Sequence, residues 1–406
     1  MSKCIVCGGS RVEAFLDLGN TSLANKFIAG EDLGKPEPYY DLNVGFCPGC
    51  HHVQLTETVP PTAMFDDYLY ISSLSDTLVD HLRGLAATVT ERMGLKGDDL
   101  AIDIGCNDGT LLTGFRDKGV KTLGVDPAQN LAALAAEKGI ATHVGYFGEE
   151  TAKILRAAHG PAEAITATNV FPHIPDLADF VKGLDIMLED GGVFVLEAHY
   201  LQDLLDHGAY DTVYHEHCSY WALGPMQRLF AAHGMEIFDV ERLPIHHGQL
   251  RAWVQRKGAR PLSERVADLS EAERANGLDK LETFVAFAEH VRKSREELNA
   301  AIDKFRADGK TIVGYGAPAK GNTLLTFLGV GPDKIAYIAD KSPLKQGRYT
   351  PGTHIPVVDP ARLLEEQPDY VLLLAWNFAE EIMAQQNEYR VRGGKFIIPV
   401  PNVKIV

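Results

Sequence analysis

The sequence predicts an α/β protein made of two doubly wound, mostly parallel sheets behind a small cysteine-rich module. Two Cys-x-x-Cys pairs lie within the first 50 residues, and strand-like apolar runs alternate with helical stretches from residue 75 to residue 256. The same alternation starts again after residue 310. The 406 residues are enough for three units, which we place at residues 1–66, 67–260 and 261–406.

Composition and charge narrow the classes of partner. Hydrophobic residues make up 45% of the chain and the formal net charge is −16, which is typical of a globular protein that does not bind nucleic acid. No apolar run is long enough to span a bilayer, and the first residues do not resemble a signal peptide. We therefore expect a cytoplasmic protein without membrane contacts and, because each large unit has its own core, a monomer.

The cysteine-rich module predicts a structural zinc site. Two Cys-x-x-Cys pairs, separated by 39 residues, supply four thiolates, the ligand set of a closed tetrahedral Zn²⁺ site. The predicted ligands are Cys4, Cys7, Cys47 and Cys50. A module this small lacks a large core and would gain stability from the metal. Four unrelated buried thiols are the alternative, and His51 and His52 are substitute ligands.

The first α/β unit is predicted to begin with a helix over residues 75–93. Five strand-like runs follow, with helical stretches between them, which indicates a parallel, doubly wound sheet. The runs are residues 100–104, 121–125, 140–144, 164–168 and 193–198. Two later runs, 235–240 and 250–256, are expected to form an antiparallel end of the same sheet.

The turn after the first of these strands predicts a ligand loop. Residues 101–110 read Ala-Ile-Asp-Ile-Gly-Cys-Asn-Asp-Gly-Thr, so Asp103 lies where a dinucleotide-binding turn has its first glycine, and its carboxylate would repel a diphosphate. Asp126 ends the second strand, where acidic residues bind ribose hydroxyls. S-adenosylmethionine has a ribose, an ammonium group and no phosphate, so it fits both positions. We assign Asp103, Gly105, Asn107, Gly109 and Asp126 to its site.

This assignment predicts the Rossmann-like sheet of a class I methyltransferase. An ordinary tight turn in an α/β core is the alternative. Strand, turn, helix and distal acid all agree with a cofactor site, whereas a lone glycine motif would be a much weaker signal.

The second α/β unit is predicted to begin at residues 311–317, Thr-Ile-Val-Gly-Tyr-Gly-Ala, which read as a strand and a glycine turn. The other predicted elements are long helices within residues 262–307, a helix at 320–328, and strands at 335–339, 370–374 and 396–400. This turn has no leading carboxylate, and Lys320 follows at once, which suits a phosphate group. A structural turn with a solvated lysine is the alternative.

Residues 210–220, Tyr-Asp-Thr-Val-Tyr-His-Glu-His-Cys-Ser-Tyr, hold an unusually dense group of titratable side chains. The segment follows the fifth strand, at the carboxyl edge where open α/β sheets bind ligands. General base chemistry fits this group, with a histidine as base, a glutamate that orients it and a tyrosine that donates a hydrogen bond. A metal site and a polar loop without function are the alternatives.

Nearly the whole chain resembles the sugar C-methyltransferases that add a methyl branch to nucleotide-activated 4-keto deoxysugars. The shared motifs are the four-cysteine module, Tyr-x-Tyr-x-Ser-Ser at residues 68–73, the loop at 103–109, Asn-Val-Phe-Pro-His at 169–173, the Tyr-His-Glu-His block at 214–217, and the segments 314–322 and 340–349. Residues 197–200 depart from the family, because they read Glu-Ala-His-Tyr instead of Glu-Val-Pro-Tyr. We therefore expect the substrate pocket to differ at His199.

The resemblance implies methyl transfer to C3 of the sugar through an enolate at C4. It implies that His217 removes the C3 proton and that Tyr214 donates a hydrogen bond to the C4 oxygen as the enolate forms. Glu216 would orient or polarise the histidine, or bind a sugar hydroxyl. The other residues that the resemblance assigns are His173 and Tyr68 in the active site, Asn169 at the cofactor, and Lys320 and Asn322 at the nucleotide-diphosphate sugar.

Three other functions stay open on the sequence alone. A methyltransferase that acts on oxygen or nitrogen would not remove a proton from carbon. An NAD-dependent oxidoreductase would use the second α/β unit, although its turn lacks the third glycine and only Asp340 is placed for a ribose. A zinc-binding interaction module fused to an inactive methyltransferase fold would not need Asp103, Asp126 or His217, which are all present.

Overall fold

The N-terminal module is a small antiparallel sheet with the cysteine pairs in its turns. The computed structural model describes residues 3–65, 68, 70–245 and 248–406 of the chain. The first three strands are β1 (Glu13–Thr21), β2 (Tyr40–Phe46) and β3 (Val53–Leu55). Strand β2 pairs with β1 on one side and with β3 on the other. One cysteine pair precedes β1, and the other lies between β2 and β3.

Two helices lead from the module to the central sheet. They are α1 (Thr62–Phe65) and α2 (Asp76–Met93). Helix α2 begins after Ser75, whose hydroxyl accepts the N–H of Leu78, and it ends at Gly94, which has a left-handed backbone with φ 66°. The helix predicted over residues 75–93 is confirmed. Its cap and its terminal glycine explain where it begins and ends.

The central sheet is doubly wound and mostly parallel, as predicted. The strands between residues 100 and 256 are β4 (Leu100–Ile104), β5 (Lys121–Asp126), β6 (Thr142–Val144), β7 (Ala162–Thr168), β8 (Leu188–His199), β9 (Ser219–Tyr220), β10 (Met235–Leu243) and β11 (Gln249–Arg256). All except β9 form one sheet in the order β10-β11-β8-β7-β4-β5-β6. Strands β10 and β11 form the expected antiparallel end. The order reverses between β4 and β7, so the switch point lies at their carboxyl ends.

Helices cover both faces of this sheet. They are α3 (Thr110–Asp117), α4 (Gln129–Glu137), α5 (Glu149–His159), α6 (Leu177–Met187), α7 (Leu201–Asp206) and α8 (Leu223–Ala231). Successive residues of β4 point to opposite faces: Ala101 belongs to the apolar cluster that includes α2 and α3, and Ile102 belongs to the cluster that includes α5, α6 and α8. Both faces are buried, which explains why β4 is apolar without alternation.

Strand β9 joins the sheet of the module instead of the central sheet. It pairs antiparallel with β3, and the N–H of Leu55 donates to the carbonyl of Cys218 at 3.0 Å. The ring of His52, which is fully buried, has its Nε2 3.1 Å from the hydroxyl of Ser219. The polar segment at residues 210–220 is therefore attached to the cysteine-rich module directly after His217.

The C-terminal part is a second doubly wound sheet behind two helices, α9 (Glu264–Ala275) and α10 (Leu281–Ala307). Its strands are β12 (Ile312–Tyr315), β13 (Ile338–Ala339), β14 (Val357–Val358), β15 (Tyr370–Leu373), β16 (Lys395–Ile398) and β17 (Lys404–Ile405). Their order is β14-β13-β12-β15-β16-β17, and all neighbours are parallel except β16 and β17. The switch point lies between β12 and β15.

The remaining helices are α11 (Ala319–Leu328), α12 (Arg362–Glu366), α13 (Ala379–Gln385) and α14 (Asn387–Val391). Helix α10 joins this part to the module, because the ring of Phe284 packs 5.3 Å from Phe15 and 5.2 Å from Phe46. The strand predicted over residues 335–339 is confined to its last two residues. Across the described ranges, no helix combines the length and the apolar character needed to cross a membrane.

Candidate active site

One cleft of about 1160 Å³ receives the switch points of both doubly wound sheets. Gly105 and Asn169 line it from the central sheet, Gly316 and Ala375 line it from the C-terminal sheet, and Asn25 lines it from the module. Pockets for one small ligand usually measure about 300–1,000 Å³, so this cleft has room for a cofactor and an acceptor together.

The loop after β4 is shaped by two glycines. A Cβ on Gly105 would lie 2.3 Å from Cγ2 of Val170, and the φ of Gly105 is +66°, so another residue would be both strained and blocked. Gly109, with φ +74°, is the residue before α3 and packs against Ile140. Gly105 lines the cleft, whereas Gly109 is outside its described lining and supports the turn from behind.

The carboxylate of Asp126 clamps this loop. One oxygen accepts the N–H of Asn107 at 2.8 Å, and the other accepts the N–H of Ala128 at 2.9 Å. Burial raises the pKa of Asp126, and the two N–H groups oppose that shift. The carboxylate lines the cleft at the end of β5, where we predicted the ribose to bind.

Asp103 is buried, with 2% of its surface exposed, and accepts the hydroxyl proton of Thr166 at 2.7 Å. Burial raises its pKa to about 7, and the nearby charges of Asp126 and Glu197 act in the same direction. A cationic ligand would favour the ionised form of this group. The part of the cleft between residues 61 and 248 has no lysine or arginine in its described lining. Its charged lining residues are Asp76, Asp103, Asp126, Asp176 and Asp179.

These observations fit S-adenosylmethionine. The acidic lining suits its sulfonium and ammonium groups, and Asp126 has free lone pairs for ribose hydroxyls. Asn107, with φ 53°, also joins the loop to the predicted Tyr-x-Tyr-x-Ser-Ser motif, because its side chain bonds to the backbone of Tyr70 and Ser72, each at 3.0 Å. Leu69 of that motif lies outside the described residues.

Asn169 lies beside this loop at the end of β7. Its backbone is left-handed, with φ 57°, and its N–H donates to the carbonyl of Glu197 at 2.8 Å. The side-chain amide of Gln249 donates to its Oδ1 at 2.7 Å. Asn169 therefore lines the same cleft as the loop after β4, and its assignment to the cofactor stays a prediction.

The hydrogen bonds and the burial of His217 together indicate a neutral ring with its proton on Nδ1. Its Nδ1 lies 2.8 Å from the carbonyl oxygen of Thr212, which can only accept, so Nδ1 carries the proton and Nε2 has a lone pair. The hydroxyl of Tyr214 lies 2.9 Å from Nε2 and donates to it. Burial lowers the pKa of His217 well below its usual value, and the neighbouring His173 and His199 lower it further. The ring is therefore neutral at neutral pH.

His217 is one of three histidines that line the same part of the cleft. Its ring centroid is 5.0 Å from that of His173 and 5.3 Å from that of His199. Nδ1 of His173 lies 2.8 Å from the backbone carbonyl of Glu216, and burial lowers the pKa of His173 to about 4. His199, where the sequence departs from the family, is thus a direct neighbour of the proposed base.

The Glu216 carboxylate contacts residues that lie far away in the sequence. Its two oxygens accept the side-chain amide of Asn25 at 2.7 Å and the hydroxyl of Tyr68 at 3.1 Å. Burial raises the pKa of Glu216 to about 7, although both donors oppose the shift. The carbonyl of Thr212 orients the ring of His217, so the structure gives no support to the prediction that Glu216 orients it. Sequence reasoning missed Asn25, because no motif marks it.

The C-terminal side of the cleft is lined by lysines together with two acids, Asp340 and Glu381. The ammonium of Lys320, in the first turn of α11, lies 4.0 Å from the ring centroid of Trp376, whose Nε1 donates to Asp211 at 2.6 Å. Burial lowers the pKa of Lys320 to about 8, and the charge of Asp211 opposes the shift. Lys341 and Lys345 also line this side.

The structure does not bring Asn322 to the cleft lining among the described residues. Asn322 is buried, and its amide donates to the carbonyl of Ala24, in the module, at 2.6 Å. Asp340, which does line the cleft, accepts the N–H groups of Ala317 at 2.5 Å and of Ser342 at 2.7 Å.

The four cysteines of the module fit a zinc ion. Their sulfur atoms all lie within 4.8 Å of one another, with Cys4 and Cys50 at 3.4 Å and Cys7 and Cys47 at 3.6 Å. Tetrahedral zinc with bonds of about 2.3 Å separates its ligands by about 3.8 Å, so little movement is required. His52 packs against Trp221 instead, with ring centroids 4.6 Å apart and the ring planes tilted by 41°.

Fold and site together define a class I methyltransferase that uses S-adenosylmethionine. Three family models match the chain: "Putative zinc binding domain" at residues 4–65, "Methyltransferase domain" at 79–240 and "C-methyltransferase C-terminal domain" at 244–401. C-methyltransferase NovU of Streptomyces niveus is 34% identical over all of this chain and 97% of its own length. The chain therefore belongs to this C-methyltransferase family and is an S-adenosylmethionine-dependent C-methyltransferase with a zinc-binding module.

Other similarities are partial. The ubiquinone biosynthesis O-methyltransferase of Psychrobacter cryohalolentis is 30% identical over 30% of this chain and 54% of its own length. The crystal structure of magnesium protoporphyrin IX methyltransferase (ChlM) from Synechocystis PCC 6803 with bound SAH covers 44% of this chain and 83% of that chain, at 13% identity and a TM-score of 0.35.

Proposed function

We propose that this C-methyltransferase acts on a nucleotide-linked 4-keto-deoxysugar and methylates C3 through an enolate, as a step in the synthesis of a branched deoxysugar. The observation that carries the proposal is the unprotonated Nε2 of His217, which is hydrogen-bonded to the hydroxyl of Tyr214. The pair lines a cleft that has aspartates at one end and lysines at the other.

The residues present match the needs of carbon methylation. When bound, S-adenosylmethionine supplies a methyl group that its sulfonium charge already makes electrophilic. The protein has to make carbon nucleophilic, which requires a base for the C–H proton and a donor for the oxygen that gains charge. His217 takes the C3 proton on Nε2, the electron pair of that C–H bond moves into the C3–C4 bond, and the C4 oxygen becomes an enolate.

Tyr214 can change its partner during this step. Before the reaction its hydroxyl donates to Nε2 of His217. Nε2 has a single lone pair, so the hydroxyl has to turn away from Nε2 before the C3 proton is transferred, and it can then donate to the C4 oxygen. Burial raises the pKa of Tyr214 well above its usual value, which keeps the phenol protonated for this role. The same rearrangement thus frees the base and brings a donor to the oxygen on which charge develops.

The basic end of the cleft is suited to the nucleotide diphosphate. Lys320 and Lys345 provide ammonium groups there, beside the first turn of α11. Asp340 would suit a ribose hydroxyl, as Asp126 would in the first unit. Asn322 is predicted to bind the substrate but does not line the cleft among the described residues. It would act only indirectly, through the module turn at Ala24, whose carbonyl accepts its hydrogen bond. His173 and Tyr68 stay predicted members of the sugar pocket.

The test is to incubate the protein with S-adenosylmethionine and a panel of nucleotide 4-keto-6-deoxysugars. We expect a product heavier by one CH₂ group, with the new methyl carbon bonded to C3 in carbon NMR spectra. Transfer to oxygen or nitrogen is the alternative function, since His217 could also deprotonate a hydroxyl or an amine. A methyl group found on oxygen or nitrogen would contradict the proposal, and no product with any sugar would mean a different acceptor.

A further inference from the structure

We propose that the N-terminal module contributes a residue to the reaction site: Asn25 is a positioning residue that, together with Tyr68, holds the carboxylate of Glu216. The inference rests on the proposed function, because the part predicted for Glu216 in the reaction is to polarise His217 or to bind a hydroxyl of the sugar. The contact itself can be tested without any substrate.

The geometry gives each carboxylate oxygen one donor. The Asn25 amide donates to Oε1 of Glu216 at 2.7 Å, and the Tyr68 hydroxyl donates to Oε2 at 3.1 Å. Asn25 and Tyr68 both line the cleft, and Glu216 is buried directly behind them in the chain segment of His217. Two donors on opposite oxygens fix the plane of the carboxylate, which neither could do alone.

The turn that carries Asn25 is held in place by residues of the C-terminal part of the chain. Asn322 donates to the carbonyl of Ala24, and Ile28 exchanges backbone hydrogen bonds with Tyr349 at 2.9 and 2.8 Å. Asn25 therefore lies between two anchors. These contacts give Asn322 a function that does not require it to touch the substrate.

The backbone of Glu216 is held both by His173 of the central unit and by the module. Nδ1 of His173 bonds to its carbonyl oxygen at 2.8 Å, and β9 begins three residues later and pairs with β3. Both the backbone and the side chain of Glu216 thus depend on contacts outside its own segment. The module positions this residue through β3 and through Asn25.

The charge of Glu216 is closely balanced. Burial favours the protonated acid, whereas the hydrogen bonds from Asn25 and Tyr68 and the positive charge of Lys345 favour the carboxylate. Tyr214 and His173 also face this region, Tyr214 as a phenol and His173 as a neutral ring. Removing one donor should therefore shift the titration of Glu216 upward, towards the protonated form.

The experiment is an infrared pH titration of the full-length, zinc-loaded protein without substrate. The carboxylic acid band of Glu216 is identified by its absence in E216Q. We expect N25A to raise the midpoint of this band by about one pH unit, because a hydrogen bond to a charged group is lost. We expect N25D, which has the same shape but cannot donate as a carboxylate, to raise it at least as far.

The matched control is N20A, because Asn20 is also a module asparagine that donates to a carboxylate, Asp41, at 2.8 Å on the exposed surface. Binding of S-adenosylmethionine, measured by calorimetry, confirms that each variant is folded. An N25A midpoint equal to those of the wild type and N20A would overturn the proposal.

A second readout is the pH profile of kcat/KM, measured with the sugar that the wild type methylates, and in particular its acid limb. It should move upward with the infrared midpoint in N25A, and it should stay in place in N20A. An infrared shift without a shift of this limb would also overturn the positioning role. If the wild type methylates none of the sugars, the proposed function fails, and the infrared titration still decides whether Asn25 holds Glu216.

Discussion

The turns after β4 and β12 are built in the same way. Each follows the first strand of a doubly wound sheet, and each is clamped by an aspartate that ends or follows the next strand. Asp126 accepts the N–H groups of Asn107 and Ala128, and Asp340 accepts those of Ala317 and Ser342. Both turns open into the same cleft at a switch point.

The two turns differ in charge. The first has the buried Asp103 at the end of its strand, and the described lining on that side contains aspartates but no lysine or arginine. The second has no carboxylate at that position and is followed by Lys320, with Lys345 nearby. The same turn can therefore favour a cation in one unit and, in the proposed function, an anion in the other, depending on a few charged side chains.

The largest effect should come from replacing His217, the proposed base. We expect H217N to lower kcat by a factor on the order of 10²–10⁴, the usual contribution of a general base, while the Kd for S-adenosylmethionine stays unchanged. Steady-state kinetics and calorimetry provide the two readouts. The control is H159N, at the exposed end of α5. Full activity of H217N would remove the base assignment.

Asp126 and Asp340 allow a matched test of whether the two ends of the cleft bind different ligands. We expect D126N to raise the Kd for S-adenosylmethionine by roughly 10- to 100-fold, because hydrogen bonds to a charged group contribute about 1.5–3 kcal/mol. D340N should leave this Kd unchanged and raise the KM of the acceptor instead. If both variants weaken the same ligand, the two ends of the cleft are not separate sites.

A change of Lys320 tests whether the lysine-lined end of the cleft binds the acceptor. We expect K320M, which keeps the length of the side chain but removes its charge, to raise the KM of the acceptor about 10-fold without changing the binding of S-adenosylmethionine. The control is K310M, because Lys310 pairs with Asp369 at 3.0 Å on the surface. An unchanged KM in K320M would mean that the lysine does not contact the acceptor.

The smallest effect should be a pH dependence of acceptor binding. Burial lowers the pKa of Lys320 to about 8, so the side chain is charged below that pH and becomes neutral above it. Affinity for an anionic acceptor should therefore be constant in mild acid and fall severalfold as the pH rises through about 8. Inhibition by an unreactive nucleotide diphosphate, measured across this range, gives the profile. The fall should be smaller in K320R, and an identical fall would assign it to another group.

Much of the central sheet could be predicted, because its signals are local. The apolar run of β4, the glycines of the loop and Asp126 lie within about 25 residues, and the cap at Ser75 marks the start of α2. The pairing of β9 with β3 could not be predicted. A strand of two residues has no periodicity, and its partner lies more than 160 residues away.

The structure brings together predicted site residues that are close in the sequence, and it adds a contact between residues that are far apart in the sequence. Tyr214 and His217 are three residues apart and do form a pair. Lys320 and Asn322 were assigned to one ligand, but residues two apart on a helix point in different directions, and only Lys320 reaches the cleft lining among the described residues. Asn25 meets Glu216 across 191 residues, a contact that no local pattern indicates.

The central claim is that His217 removes a proton from carbon. It is tested most directly by incubating the acceptor with the protein and S-adenosylhomocysteine in D₂O and following the C3 proton by NMR. We predict that the C3 proton exchanges for deuterium with the wild type and is retained with H217N. An acceptor that is methylated by the wild type but keeps its C3 proton in the product would contradict the account.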